Sequence, residues 1–168
     1  MKNSKLLTTM AFAAGCFSAA MAGAVNVDYA ESERFTDFSD SANFETAVQK
    51  GYMKDLTSFL KDRLGNELAP GYTMQIVITD IDMAGEFEPW RQGGFDDVRI
   101  VKDLYPPRID LSFRVLDAAG NVVREGDRKL RNMNFMYTRR PLDSDPLRHE
   151  KELLSNWIRR EFKGMAAT

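Results

Sequence analysis

Apolar residues along this chain alternate in some stretches and recur every three to four positions in others, and these two periods define its elements. The most strand-like run is 73–85, TMQIVITDIDMAG. Tyr72, Met74, Ile76 and Ile78 point to one face of an extended chain, and Gln75, Val77, Thr79 and Ile81 to the other. If the alternation continues, Asp80 and Asp82 follow the apolar face and bring two carboxylates to the rim of the core. A second alternating run covers 108–116: Ile109, Leu111, Phe113 and Val115 share one face, Arg108, Asp110, Ser112 and Arg114 the other. Asp117-Ala118-Ala119-Gly120 then sets Asp at the first and Gly at the fourth position of a type I turn, which predicts a hairpin into 121–130. Shorter strands are expected over 25–29 and 98–102, the latter stopped by Pro106-Pro107.

The helical period appears twice. Phe44, Val48, Tyr52, Leu56, Phe59, Leu60 and Leu64 form one stripe, with Lys50, Lys54, Asp55, Lys61, Asp62 and Arg63 mostly on the other side. Gly51 within this helix costs about 1 kcal/mol relative to Ala, which predicts close packing against it. Gly65-Asn66 supplies the stop and Pro70-Gly71 the turn into the central strand. The final helix starts with Asp145 as N-cap and Pro146 at the first helical position, and buries Leu147, Leu154, Trp157, Ile158 and Phe162. Phe35 and Phe38 are expected as lids on the core. The pattern predicts a single α+β domain: an antiparallel sheet of about four to five strands with two amphipathic helices, in the order β-α-β-β-β-α.

The N-terminus changes the picture of where the domain begins. Lys2 and Lys5 precede an uncharged run over 6–20, and Ala22-Gly23-Ala24 follows. This is the pattern of a secretory signal peptide cleaved after Ala24, leaving 25–168 as the mature domain in the periplasm. An uncleaved anchor is the first alternative. Lipoprotein processing at Cys16 is the second, since Ala13-Ala14-Gly15-Cys16 loosely resembles a lipobox with Ala in place of the usual Leu. Cleavage removes two of the 23 basic residues and none of the 25 acidic ones, so the formal charge moves from −2 to −4. It also removes the only cysteine, and with it any disulfide, thiolate nucleophile or cysteine metal site. A mildly acidic chain without a basic run offers no electrostatic footprint for nucleic acid. After residue 24 no stretch approaches the roughly 20 apolar residues that span a bilayer.

Candidate chemistry gathers at the end of the central strand. Asp80, Asp82 and Gly85 occupy the first, third and sixth positions of an EF-hand loop, but Ala84 and Arg91 fall at the fifth and twelfth, where ligands belong. Tight metal binding is therefore not expected, and no cofactor is implied. Two acids at i and i+2 on a strand lie roughly 6.5–7 Å apart, a separation that acid/base pairs can use. A carboxylate-based or metal-assisted hydrolase centred on Asp80 and Asp82 is thus one reading. The other is structural: aspartates accepting backbone N–H groups where strand becomes loop, and pairing with Arg91, Arg99 or Arg108. The long connection after Gly85 carries Glu86, Trp90 and Arg91 and leads to Arg99; its length and exposed-Trp character suit a binding site. The binding candidates are Asp80, Asp82, Glu86, Trp90, Arg91 and Arg99.

Other motifs weigh less. Ser58-Phe59-Leu60-Lys61 matches S-x-x-K without the partner motifs of acyl-serine enzymes, and reads as helix surface. His149, the only histidine, lacks a second imidazole for zinc and reads as a solvated or packing residue. Arg139-Arg140 and Arg159-Arg160 are candidate contacts for an anionic envelope component, and the second pair also suits the negative end of a helix.

The run Thr79-Asp80-Ile81-Asp82-Met83-Ala84-Gly85-Glu86, the Pro107-Arg108 start of a strand, and Glu150-Lys151 ahead of Trp157 resemble a bacterial exported family, the domain of unknown function numbered 3016. The similarity extends from Val25 to about Phe162, and the D-x-D-x-A-G segment is its most specific part. The resemblance implies an exported protein with no established activity and no catalytic residues to carry over. The expectation is an exported periplasmic domain that binds an envelope partner or small ligand without catalysis, with the hydrolase as alternative.

Overall fold

The alternating segments become strands with one buried face. The computed structural model describes residues 23–31, 35–37, 46–88, 99–137 and 144–163. Strand β1 (Ala24–Tyr29) leads through helix α1 (Thr46–Gly65) to β2 (Thr73–Asp82). Two short strands follow, β3 (Glu86–Phe87) and β4 (Arg99–Ile100), then the long hairpin β5 (Arg108–Leu116) and β6 (Val122–Arg131), and helix α2 (Arg148–Glu161).

The main sheet has the order β1-β2-β5-β6, and β3 pairs with β4 in a separate two-stranded sheet. The α+β class and the element order agree with the sequence pattern. The main sheet is mixed rather than antiparallel, because β1 runs parallel to β2. A parallel pair needs a crossover, and α1 is that crossover: it returns the chain to the end from which β1 started. The strand expected over 98–102 shrinks to Arg99–Ile100 and joins β3 outside the main sheet.

Met74, Ile76 and Ile78 of β2 and Ile109, Leu111, Phe113 and Val115 of β5 are buried, together with Leu56, Leu60 and Leu64 of α1 and Leu154, Trp157 and Ile158 of α2. Phe35 is buried with them, as expected of a lid. Phe113, Trp157 and Phe162 meet edge to face at 5.6, 5.5 and 5.4 Å between ring centroids, an arrangement that adds to their burial. Apolar residues thus collect on one face of the sheet. The opposite face presents Gln75, Thr79, Arg114 and Glu125 to solvent.

Turn chemistry fixes the connections. Gly71 takes φ 84° in the turn closed by the Tyr72 N–H on the Ala69 carbonyl, 3.1 Å, a type II turn with Pro70 at its first central position. In the β5–β6 hairpin Asp117 Oδ1 accepts the N–H groups of Ala119 and Asn121, both at 2.9 Å. Asp145 Oδ1 likewise accepts the Leu147 N–H at 2.8 Å, but α2 begins at Arg148 with Leu147 at its N-cap and no side-chain cap bond, so the expected start at Asp145-Pro146 falls in the turn ahead of the helix. Two expectations for α1 fail. Val48 is exposed while Gln49 is buried, and a methyl group at Gly51 would meet nothing within 4 Å. The helix turns Gly51 to solvent, so this glycine serves no packing purpose. Among the described residues no helix is long and apolar enough to cross a membrane. Residues 1–22 of the leader, Phe38, Phe44 and Arg139-Arg140 lie outside the described residues, whereas Gly23 and Ala24 are described and Ala24 pairs with Thr73 in β1.

Candidate functional site

The end of β2 departs from simple alternation. Ile78 faces Leu111 across the ladder and Asp80 faces Asp110, so Thr79 is an extra residue in a β-bulge. One extra residue inverts the side-chain alternation beyond it. Ile81, not Asp80 or Asp82, therefore enters the core opposite Ile109. The two aspartates turn to the uncovered face of the sheet, each half-buried, correcting the expectation that they continue the apolar face.

Each aspartate has a different partner. The Thr36 backbone N–H donates to Asp80 Oδ1 at 2.7 Å, and the Thr36 hydroxyl to Oδ2 at 2.9 Å. Asp82 faces Arg108, with Oδ2 3.4 Å from a guanidinium nitrogen. Burial pushes the Asp82 carboxyl above the ordinary carboxylate range, the Asp37 and Asp80 charges add to this, and Arg108 and Arg99 oppose it.

Past Asp82 the backbone makes a tight turn over 83–85 whose N–H groups all find acceptors from remote parts of the chain. The Met83 N–H donates to Asp37 Oδ2 at 2.5 Å, the Ala84 N–H to Glu150 Oε1 at 2.8 Å, and the Gly85 N–H to the Tyr105 carbonyl at 3.0 Å. The carbonyls of Met83 and Gly85 both accept from one Arg99 nitrogen, at 3.3 and 2.7 Å. The other terminal nitrogen of Arg99 lies 2.8 Å from Asp37, and its guanidinium stacks 4.9 Å from the Phe87 ring centroid. Gly85 takes φ 90°, and a Cβ there would lie 2.8 Å from the Ile100 carbonyl oxygen. Only glycine fits. Ala84 beside it is buried. The D-x-D-x-A-G pattern is thus a bulged strand end and a clamped turn. It joins the 35–37 segment, β4 and the start of α2.

Glu150 is the most unusual member. It is 1 % exposed, its Oε2 has no hydrogen-bond partner, and burial raises its carboxyl above the ordinary range against the opposing hydrogen bond from Ala84 and the charge of Arg99. Neither Asp37 nor Glu150 was among the candidates from sequence. Glu150 did leave a signal: it stands three residues after Leu147, four before Leu154 and seven before Trp157, an acid on the apolar stripe. Asp37 left none.

Of the six sequence candidates, the structure brings Asp80, Asp82 and Arg99 to this strand end. Glu86 bends back to accept the Phe87 N–H at 2.9 Å, while its neighbour Glu88 is buried against Lys102 and takes the Tyr105 hydroxyl at 3.3 Å. Trp90 and Arg91 lie outside the described residues. No group of three or more His, Cys, Asp or Glu side chains among the described residues is placed to hold a metal. His149 packs edge-on against Phe135 at 4.9 Å, and burial lowers its pKa, with Arg148 adding to the effect. A shallow concavity of about 500 Å³ on the uncovered face is lined by Gln75, Val77, Ser112, Arg114, Glu125 and Asp127, among others.

A family model described as protein of unknown function (DUF3016) matches residues 23–160. The chain belongs to this family. The match runs from β1 into the last turn of α2, so the DUF3016 region includes every residue of the Asp37–Arg99–Glu150 clamp. No curated protein matches the chain. No solved structure matches it either.

Proposed function

We propose that this DUF3016 protein is an exported, periplasmic, non-catalytic domain that binds an envelope component or small ligand on the uncovered face of its sheet. One observation carries the non-catalytic reading. Three of the four carboxylates described at this strand end are engaged as acceptors, Asp80 by both donors of Thr36, Asp37 by Met83 and Arg99, and Glu150 by Ala84, while Asp82 faces Arg108. A general base or nucleophile must reach its substrate, and these three reach the protein's own backbone instead. The concavity offers Arg114, Glu125, Asp127, Gln75 and Ser112 to a polar ligand. Asp82 and Arg108 stand at the end of the same face, and Trp90 and Arg91 follow in the chain as further binding candidates. Export rests on the basic start, the apolar run and Ala22-Gly23-Ala24.

Co-sedimentation of the purified protein with isolated cell-wall sacculi and with anionic lipid vesicles tests the binding reading. Wild type should pellet with one of them, and Ser112→Arg, which fills the concavity, should not. Wild type and variant both remaining in the supernatant with each probe would count against it. Intact mass of the periplasmic protein should correspond to a chain starting at Val25; a diacylated Cys16 would replace that reading by a lipoprotein. One observation favours the hydrolase alternative: Asp82 has a raised carboxyl beside a second acid, the kind of pair from which acid/base catalysts are built. Turnover of a chromogenic ester or glycoside that disappears in Asp82→Asn would establish it.

A further inference from the structure

Strand β6 is the outermost strand of the main sheet, ten residues long, and among the described residues no other strand pairs with its outer edge. An edge of this length is a template for another strand. Its side chains on the uncovered face follow an unusual order. Glu125, Asp127, Lys129 and Arg131 are all exposed, two acids followed by two bases. Exposed apolar residues flank them, Val123 at 48 % and Met133 at 57 % exposure. Read backwards, the charges invert, so the order is complementary to itself in an antiparallel pair.

We propose that β6 pairs antiparallel with β6 of a second copy of this chain, about a two-fold axis through Arg128, making one continuous eight-stranded sheet. The register follows from two constraints. Opposite residues in a continuous sheet must share a face, so the axis passes through a residue and not between two. With the axis at Arg128, Asp127 of each copy meets Lys129 of the other, and Glu125 meets Arg131. Moving the axis to Asp127 or to Lys129 sets like charges against each other on the axis. Moving it to Gly126 sets Glu125 against Asp127, and moving it to Leu130 sets Lys129 against Arg131. Only the Arg128 axis gives each of these four charges an opposite.

The molecule's own contacts favour this register. Arg131 faces Arg108 within the sheet, and Glu125 of a second copy offsets that pair of like charges. Glu125 and Lys129 reach Arg114 and Asp110 within the same chain at 3.1 and 3.7 Å, through exposed contacts that leave both side chains open to a neighbour. The residue on the axis donates from Nη1 to the edge carbonyl of Asp127 at 2.8 Å, which leaves that oxygen its second lone pair for a neighbouring strand. The Arg128 guanidinium turns to the core side, bonded to both oxygens of Glu161 at 2.9 and 2.8 Å and stacked 5.1 Å from Phe113. The pairing shares Glu125 and Asp127 with the lining of the concavity, and sedimentation with no ligand present reads it separately from ligand binding.

Sedimentation equilibrium of the purified protein tests it, with melting curves as a check that each variant is folded. Wild type should dimerise with concentration, and more weakly as salt is raised. Asp127→Lys and Lys129→Asp should each raise the dissociation constant at least tenfold, because each sets like charges opposite in both halves of the interface. An equimolar mixture of the two variants should recover a 1:1 heterodimer, since the lysine introduced in one chain then meets the aspartate introduced in the other. Should either variant fail to fold, Glu125→Lys and Arg131→Glu test the same register at the outer pair. A wild type that stays monomeric at all concentrations, variants that dimerise as well as wild type, or a mixture that remains monomeric would each overturn the proposal.

Discussion

Replacing Glu150 separates the two things its carboxylate does. Its Oε1 holds the Ala84 N–H at 2.8 Å, and its charge sits in a site where it is 1 % exposed. Glu150→Ala removes both, leaving a buried donor unpaired at a cost of about 1–3 kcal/mol, together with a small void. For a domain of this size each kcal/mol moves the midpoint by roughly 3 °C, so Glu150→Ala should melt about 3–10 °C lower. Glu150→Gln keeps a carbonyl for Ala84 and removes only the charge. Desolvation is the largest influence on this carboxyl and exceeds the attraction of Arg99, so the glutamine variant should melt at or above wild type at neutral pH. The pH dependence has a definite sign. A carboxyl raised in the folded state stabilises the fold below its unfolded pKa, near the ordinary 4.5, and that stability is lost as pH rises through the folded value. The advantage of Glu150→Gln should therefore be absent in acid, grow as pH rises past 4.5, and then level off. Differential scanning calorimetry across a pH series reads this directly. Glu150→Gln melting several degrees below wild type at neutral pH would show that the ionised pair with Arg99 outweighs desolvation, refuting the reasoning.

The remaining expectations concern the same strand end and its contrast with α1. Gly51→Ala should raise stability by about 1 kcal/mol, because the added methyl meets nothing within 4 Å on an exposed helix position. Gly85→Ala should lower it by about 1–3 kcal/mol or more, since φ 90° and a 2.8 Å approach to the Ile100 carbonyl leave no room; denaturant midpoints distinguish the two. A double-mutant cycle between Asp80→Ala and Thr36→Val should give a coupling of about 0.5–1 kcal/mol, one hydroxyl hydrogen bond at an exposed site. Coupling indistinguishable from zero would mean that the Thr36 hydroxyl does not hold Asp80 in solution.

Local physics made much of this fold legible in the sequence. Strict alternation over 108–116 and the Asp117–Gly120 turn specify the β5–β6 hairpin, because side-chain period and turn geometry are properties of a few adjacent residues. The Leu56, Leu60 and Leu64 stripe of α1 and the core positions of Trp157 and Phe35 were readable for the same reason, whereas α2 starts at Arg148 and not at the expected Asp145-Pro146. Tertiary structure decided the rest. Alternation through Asp80 and Asp82 pointed inward, but the bulge at Thr79 turned both outward, since Ile81 has more to gain from the core than a carboxylate does. The parallel pairing of β1 depended on where α1 returned the chain, which no short-range pattern encodes. The clamp on the 83–85 turn unites Asp37, Arg99 and Glu150, which stand 46, 16 and 66 residues from the backbone groups they hold. Spacing within the sequence reveals partners only when they share a helix turn or a strand face. At these separations the acceptor for a buried N–H is fixed by packing alone.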